Sequence, residues 1–290
     1  MIALLLLSGC RPPERTAAER SRLALAQVID ETDFLAQAAQ VEGEALECLL
    51  AEVRTLDYIK LPTRALPVGK AVNEPERLRG RKVYLQGRLL AIERSPAVEA
   101  LGAGVGAGAG AGLKGLVLMP DGGLAAFRAQ FREGVDPAPP EPGAAVEVIG
   151  LFMKRWVALD GSGSRYAVIP LVVGKPPIAI SGTARAGDLA GLEPAKGLLP
   201  LTEIEAPPVR SRPVVEVDAA GALRLDGRRL SLKKLVAGLA ERAAGAAKTP
   251  LGDSALVAVV LADPAAPAAA LDELRKALPV KAVFRTQSDK

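Results

Sequence analysis

Apolar and polar residues alternate along the middle of the chain, and this restricts the fold more than any other feature. Lys82-Val-Tyr-Leu-Gln-Gly-Arg-Leu-Leu-Ala-Ile-Glu93 alternates, with Gly87 at a bend. Gly115–Met119, Leu124–Phe131, Ala145–Trp156 and Tyr166–Val173 are further strand candidates. They are divided by the turn sequences Pro120-Asp-Gly-Gly123 and Asp160-Gly-Ser-Gly163. A period of two puts successive side chains on opposite faces of a sheet. Five short strands with glycine bends predict a small β-barrel over residues 64–180. The Gly/Ala-rich stretch 102–112 interrupts it. That stretch lacks the Gly-Lys-Ser/Thr ending of a phosphate loop and reads as a low-complexity insertion between strands.

Residues 213–290 carry a second pattern. Val214–Asp218 and Ala222–Leu225 read as strands, with turns at Ala219-Ala-Gly221 and Asp226-Gly227. Ser231 caps a helix over Leu232–Ala244, whose apolar stripe is Leu232, Leu235, Val236 and Leu239. The continuous apolar run Ala255–Ala262 fits a strand buried on both faces. A helix over Ala266–Leu278 and a strand over Val280–Thr286 complete a ββαβαβ order. Asp263, at the end of the buried strand, shapes an Asp-Pro turn or caps the next helix.

Residues 11–60 read as helical. Thr16 stands at capping-box distance from Glu19. A helix from Gly43 to Tyr58 has the stripe Leu46, Leu49, Leu50 and Val53, and Pro62 ends it. Such a pair serves as a stalk, a dimer seam or a cover for the next domain. Residues 181–212, with Pro194, Pro200, Pro207 and Pro208, read as a Pro/Gly linker. The expected class is therefore α+β and multidomain.

The chain has no histidine, which removes the commonest general base and the commonest zinc ligand. No Gly-x-Ser-x-Gly, CxxC or matched carboxylate pair occurs, and Gly161–Ser164 is a turn. The expectation is a protein that is not an enzyme, with no cofactor and no metal site. The net charge of +4 is spread along the chain without a basic tract, so nucleic acid is a poor partner. No apolar run approaches the roughly 20 residues of a membrane-spanning helix.

Three resemblances add to this reading. Leu7-Ser8-Gly9-Cys10, behind the apolar run Ile2–Leu7, resembles a bacterial lipobox. The resemblance implies that residues 1–9 are a lipoprotein signal peptide. Cys10 would then be lipidated and hold the mature chain on a membrane in the cell envelope. Residues 10–62 would be the anchor-proximal helical segment. The protein would face the periplasm, and Arg11 favours the outer over the inner membrane. With Cys10 lipidated, Cys48 is the one thiol left, read as a small apolar residue on its helix or as an intermolecular disulfide partner.

Gly80-Arg-Lys-Val-Tyr-Leu-Gln-Gly-Arg88 and Val146-Glu-Val-Ile-Gly-Leu-Phe-Met-Lys-Arg-Trp156 resemble strands of OB-fold-like envelope domains. Arg88, Lys154, Arg155, Trp156 and Tyr166 form the candidate ligand surface, because such grooves pair cations with aromatics. Its ligand would be an oligosaccharide or, less readily, a nucleic acid.

Leu225-Asp226-Gly227, Ser231-Leu232, Leu235, Leu261-Ala262-Asp263, Leu271-Asp272 and Thr286 resemble the periplasmic domain of the ExbD/TolR family. That resemblance implies a homodimer, or contact with ExbB/TolQ-type or TonB/Pal-type envelope proteins or peptidoglycan. The transmembrane helix and coupling aspartate of that family are absent from this sequence, so motor activity does not carry over. Pro264-Ala-Ala-Pro267 replaces the family's Val-x-Tyr segment. The expected role is a non-catalytic accessory of an envelope transport or energy-transduction complex.

Overall fold

The computed structural model describes residues 16–56, 68–95, 112–160, 165–193, 201–203, 211–244 and 256–287. Leu7, Ser8, Gly9, Cys10 and residues 102–111 of the Gly/Ala-rich stretch lie outside the described residues. The chain is a mixed α+β protein with two sheets. Among the described residues no helix is long and apolar enough to cross a membrane.

The N-terminal strap, residues 16–56, holds α1 (Ala17–Ala26), a 3-10 turn (Thr32–Phe34), α2 (Leu35–Ala39) and α3 (Gly43–Arg54). Thr16 and Glu19 form the expected capping box on α1. On α3, Leu46, Leu49, Leu50 and Val53 are all buried, as their spacing predicts. Two short helices follow, α4 (Val68–Asn73) and α5 (Pro75–Leu78).

The larger sheet contains β1 (Lys82–Ser95), β2 (Gly112–Leu118), β3 (Leu124–Gln130), β4 (Ala145–Leu159), β5 (Tyr166–Gly174), β6 (Ile178–Ala179) and β7 (Thr202–Glu203). β1 pairs antiparallel with both β2 and β4. β2 pairs with β3, β3 runs parallel to β5, and β5 pairs antiparallel with β4. The pairing thus runs β1-β2-β3-β5-β4 and returns to β1, making a ring of strands. Alternation sorts its side chains into two sets. Leu85, Leu89, Val117, Phe127, Val148 and Phe152 gather in one apolar cluster. Leu124, Leu151, Met153, Trp156, Ile169 and Leu171 form another with Val28, Leu46, Leu49 and Val53 of the strap. Gly87 and Gly150 mark close approaches, because a Cβ at either would strike the backbone of Leu118 or Val173.

Within the interval 181–212, the described residues 181–193 and 201–203 hold regular structure, while Pro194, Pro200, Pro207 and Pro208 lie outside the described residues. The interval contains α6 (Ala184–Ala190), capped by Thr183, and the strand β7, which pairs with β4. Ala186 and Leu189 of α6 bury against Ala145, which holds this helix on the ring.

The C-terminal α/β unit has β8 (Val214–Val217), β9 (Leu223–Leu225), β10 (Arg228–Leu230), α7 (Leu232–Ala244), β11 (Ala258–Ala262), α8 (Ala268–Ala277) and β12 (Ala282–Thr286). The strand order is β10-β9-β8-β11-β12, with β11 parallel to β8 and β12. β10 departs from the expected ββαβαβ order. Asp226 and Gly227, at φ 49° and 83°, form a two-residue turn that sends Arg228–Leu230 back along β9. Its exposed arginines carry no apolar alternation by which a strand could be recognised. One sheet face, with Val215, Val217, Ala258 and Val260, packs on Leu235 and Leu239 of α7 and Leu274 of α8. The opposite face presents Val214, Val259 and Leu261 to Leu23, and Val257 and Val283 to Ile29. The strap therefore lies between the ring and the α/β unit.

Candidate functional site

Where strap, ring and α/β unit meet, the interior is ionic. Two carboxylates come from the strap, Asp30 and Glu42, both buried. Lys154 on β4 is fully buried. Its Nζ donates to the carbonyls of Gln37 (3.3 Å) and Gln40 (2.7 Å) and to both Glu42 carboxylate oxygens (3.2 Å). Arg212, just before β8, approaches Glu42 at 3.4 Å and donates to the Gln40 side chain at 3.0 Å. Its backbone N–H donates to Gln27 at 2.6 Å. Asp30 binds Arg79 at 2.7 Å and lies 4.0 Å from Arg285 of β12. Arg285 also reaches Glu31 at 2.7 Å and the Ala26 carbonyl at 2.9 Å.

The two buried carboxylates belong to the strap and the cations to the elements on either side; the exposed Glu76 of α5 also lies 3.6 Å from Arg285. Burial pushes the Lys154 ammonium down from its usual value; Glu42 opposes that shift and Arg212 adds to it. Arg212 is likewise lowered by burial against the pull of Glu42. Burial alone would raise the Asp30 carboxyl, but Arg79, Arg285 and Lys154 outweigh it and hold it below the ordinary carboxylate value.

The five residues of the expected ligand surface do not share one surface. Lys154 and Trp156 lie beneath the strap, and the Trp156 indole N–H donates to the Ala39 carbonyl at 2.9 Å. Both project outside the ring because an irregularity between Phe152 and Lys154 shifts the alternation, and the strap covers that side. Arg155 donates to the Val72 carbonyl at 3.3 Å. Arg88 turns toward the segment after α6, to the Leu192 carbonyl (2.7 Å) and Glu193 (2.9 Å). Tyr166 is exposed. Asp263 shapes its turn, accepting from Ala265 N at 2.8 Å.

A polar cluster on β1 and β4 escaped the sequence reading. The Tyr84 hydroxyl donates to Glu147 at 2.5 Å, and Gln86 contacts both Tyr84 and Arg185 of α6. Burial, then the Glu147 carboxylate, push the Tyr84 hydroxyl up to about 12. It is therefore a donor at neutral pH rather than a base. The alternation Tyr84, Gln86, Arg88 was its only trace in the sequence.

A cleft of 1220 Å³ opens between α1, α3 and the β8–β9 hairpin, with Arg20, Glu44, Cys48, Glu216 and Arg224 among its lining. Cys48 is half-buried and packs at the edge of the strap–ring cluster. Burial, then Glu44 and Glu47, raise its thiol above the usual value and keep it protonated. Comparisons with protein-family models, with curated proteins and with solved structures returned no match to this chain.

Proposed function

We propose that this chain is a non-catalytic lipoprotein of the bacterial cell envelope, held on a membrane through Cys10. It presents an OB-like barrel and an ExbD/TolR-like α/β unit to the periplasm, where it binds a partner protein or peptidoglycan. The observation that carries the reading is the pair of strand orders. The circuit β1-β2-β3-β5-β4-β1, with β3 parallel to β5, is the order expected of an OB-like barrel. The β8-β11-β12 parallel core with α7 and α8 on one face suits the ExbD/TolR resemblance. A partner peptide has an edge to join at β10 or β12. The cleft beside α1 offers a second contact surface, starting seven residues after Cys10 in the chain. An oligosaccharide reading is less well supported, because Lys154 and Trp156 are buried.

In-cell crosslinking of the tagged full chain, with and without Cys10→Ala, tests the proposal. The expected result is a membrane-bound protein, released by Cys10→Ala, that recovers motor-type envelope proteins or peptidoglycan through residues 213–290. A wild-type protein that is already soluble would remove the anchor. A bound protein that recovers neither would remove the accessory role.

A further inference from the structure

We infer that the α/β unit is clasped reversibly to the strap and ring, and that it leaves as an intact body to uncover the β8-β11-β12 face. The inference does not depend on the proposed function. It starts from how the ionic joint is wired. Each buried strap carboxylate has two cations, one from the ring side and one from the α/β unit. Asp30 has Arg79 at 2.7 Å and Arg285 at 4.0 Å. Glu42 has Lys154 at 3.2 Å and Arg212 at 3.4 Å. In both pairs the ring-side cation is the nearer.

If the α/β unit departs with Arg212 and Arg285, neither carboxylate is stranded. Asp30 keeps Arg79, and Glu42 keeps Lys154. Lys154 also keeps the carbonyls of Gln37 and Gln40, which belong to the strap. An uncompensated buried charge is what ordinarily prevents a buried ion pair from opening, and this arrangement avoids one. The departing arginines benefit from water. In the closed state Arg212 Nε and Nη1 are buried without a hydrogen-bond partner, whereas Arg285 Nε lies 3.6 Å from the exposed Glu76 carboxylate, a contact that water readily replaces.

The apolar contacts divide the same way. The strap meets the ring through a large cluster running from Ala24 and Val28 to Leu56. It meets the α/β unit through two small ones, Leu23 with Val214, Val259 and Leu261, and Ile29 with Val257 and Val283. The α/β unit has its own core on the far face of the sheet, around Val260, Leu235 and Leu274. The weakest seam therefore lies between strap and α/β unit. Local opening along such a seam costs less than global unfolding.

Adjacent residues of β11 report on the two faces, because Val259 meets the strap while Val260 meets the helices. The test labels single thiols introduced by Val259→Cys or Val260→Cys in the full chain, with Cys10→Ser and Cys48→Ser as background, under native conditions. Val259→Cys is expected to label at least about tenfold faster than Val260→Cys. Arg285→Met and Arg212→Met should each speed labelling at 259 and leave 260 unchanged. Equal rates at both positions in the wild-type background would overturn the inference, since the unit would then open only by unfolding. So would arginine variants that speed both positions equally. The wild-type comparison stands even if an arginine variant fails to fold.

Discussion

The inside of the strand ring and the joint beside it are both buried, yet they are built from opposite chemistry. The ring is filled by side chains such as Leu85, Phe127 and Phe152, whose attraction is non-directional and scales with area. The joint is filled by Asp30, Glu42, Lys154, Arg212 and Arg285, whose attraction depends on position and partner. An apolar interior loses stability in proportion to the volume removed. An ionic interior loses most when one charge is left alone, and much less when a whole set is replaced. The ring is thus the part that must stay folded, and the joint is the part able to change state.

That contrast breaks most easily in the ring. Phe152→Ala should cost about 3–5 kcal/mol, read by urea denaturation, and all strands should melt together. Trp156, the only tryptophan, reports from beneath the strap. Glu42→Ala should come next, at about 3 kcal/mol, because it leaves Lys154 and Arg212 facing each other. Adding Lys154→Met should recover much of that loss, and no recovery would show that the joint behaves like the ring. Gly150→Ala should cost about 1–3 kcal/mol by overpacking against Val173, seen as a lower denaturation midpoint. Thr16→Ala should cost about 1 kcal/mol through the lost cap and fray only the start of α1 in hydrogen exchange.

Mild acid should do least. Asp30 is held below its ordinary 3.8 in the folded chain, so its contribution is complete above that value. It is lost only as pH falls through the lower folded value. Thermal unfolding should therefore show no loss from this group between neutrality and pH ~5. A marked fall in that window would mean that Asp30 is not held by its arginines.

Much of this architecture was legible from period and punctuation. The five long strands of the ring, the α3 stripe, the Thr16 cap and the Asp226-Gly227 turn all rest on local rules. The joint was not legible, because its members are far apart in sequence and each reads alone as a surface charge. Asp30 and Arg285 are separated by most of the chain. Lys154 and Trp156 were read as part of a ligand surface, but a period of two can neither foresee the shift at Met153 nor say whether something covers that side. α6 was hidden by the small residues of 181–193, whose helix is set by packing on Ala145 rather than by propensity.

The irregularity in β4 has a consequence for insertions and deletions. Phe152 pairs with Val172 and Lys154 with Leu171, so Met153 is an extra residue in the ladder. Leu151 faces the strap before this point; Trp156 and Ala158 face it afterwards. The outward side thus passes from odd to even numbers at one amino acid. Met153 acts as a frame-shift in the pleat. Removing it would restore plain alternation, with Phe152 inside and Lys154 and Trp156 still outside, whereas removing Arg155 would turn the tryptophan into the ring. Within β4, the loss of one residue is therefore best absorbed at Met153 itself.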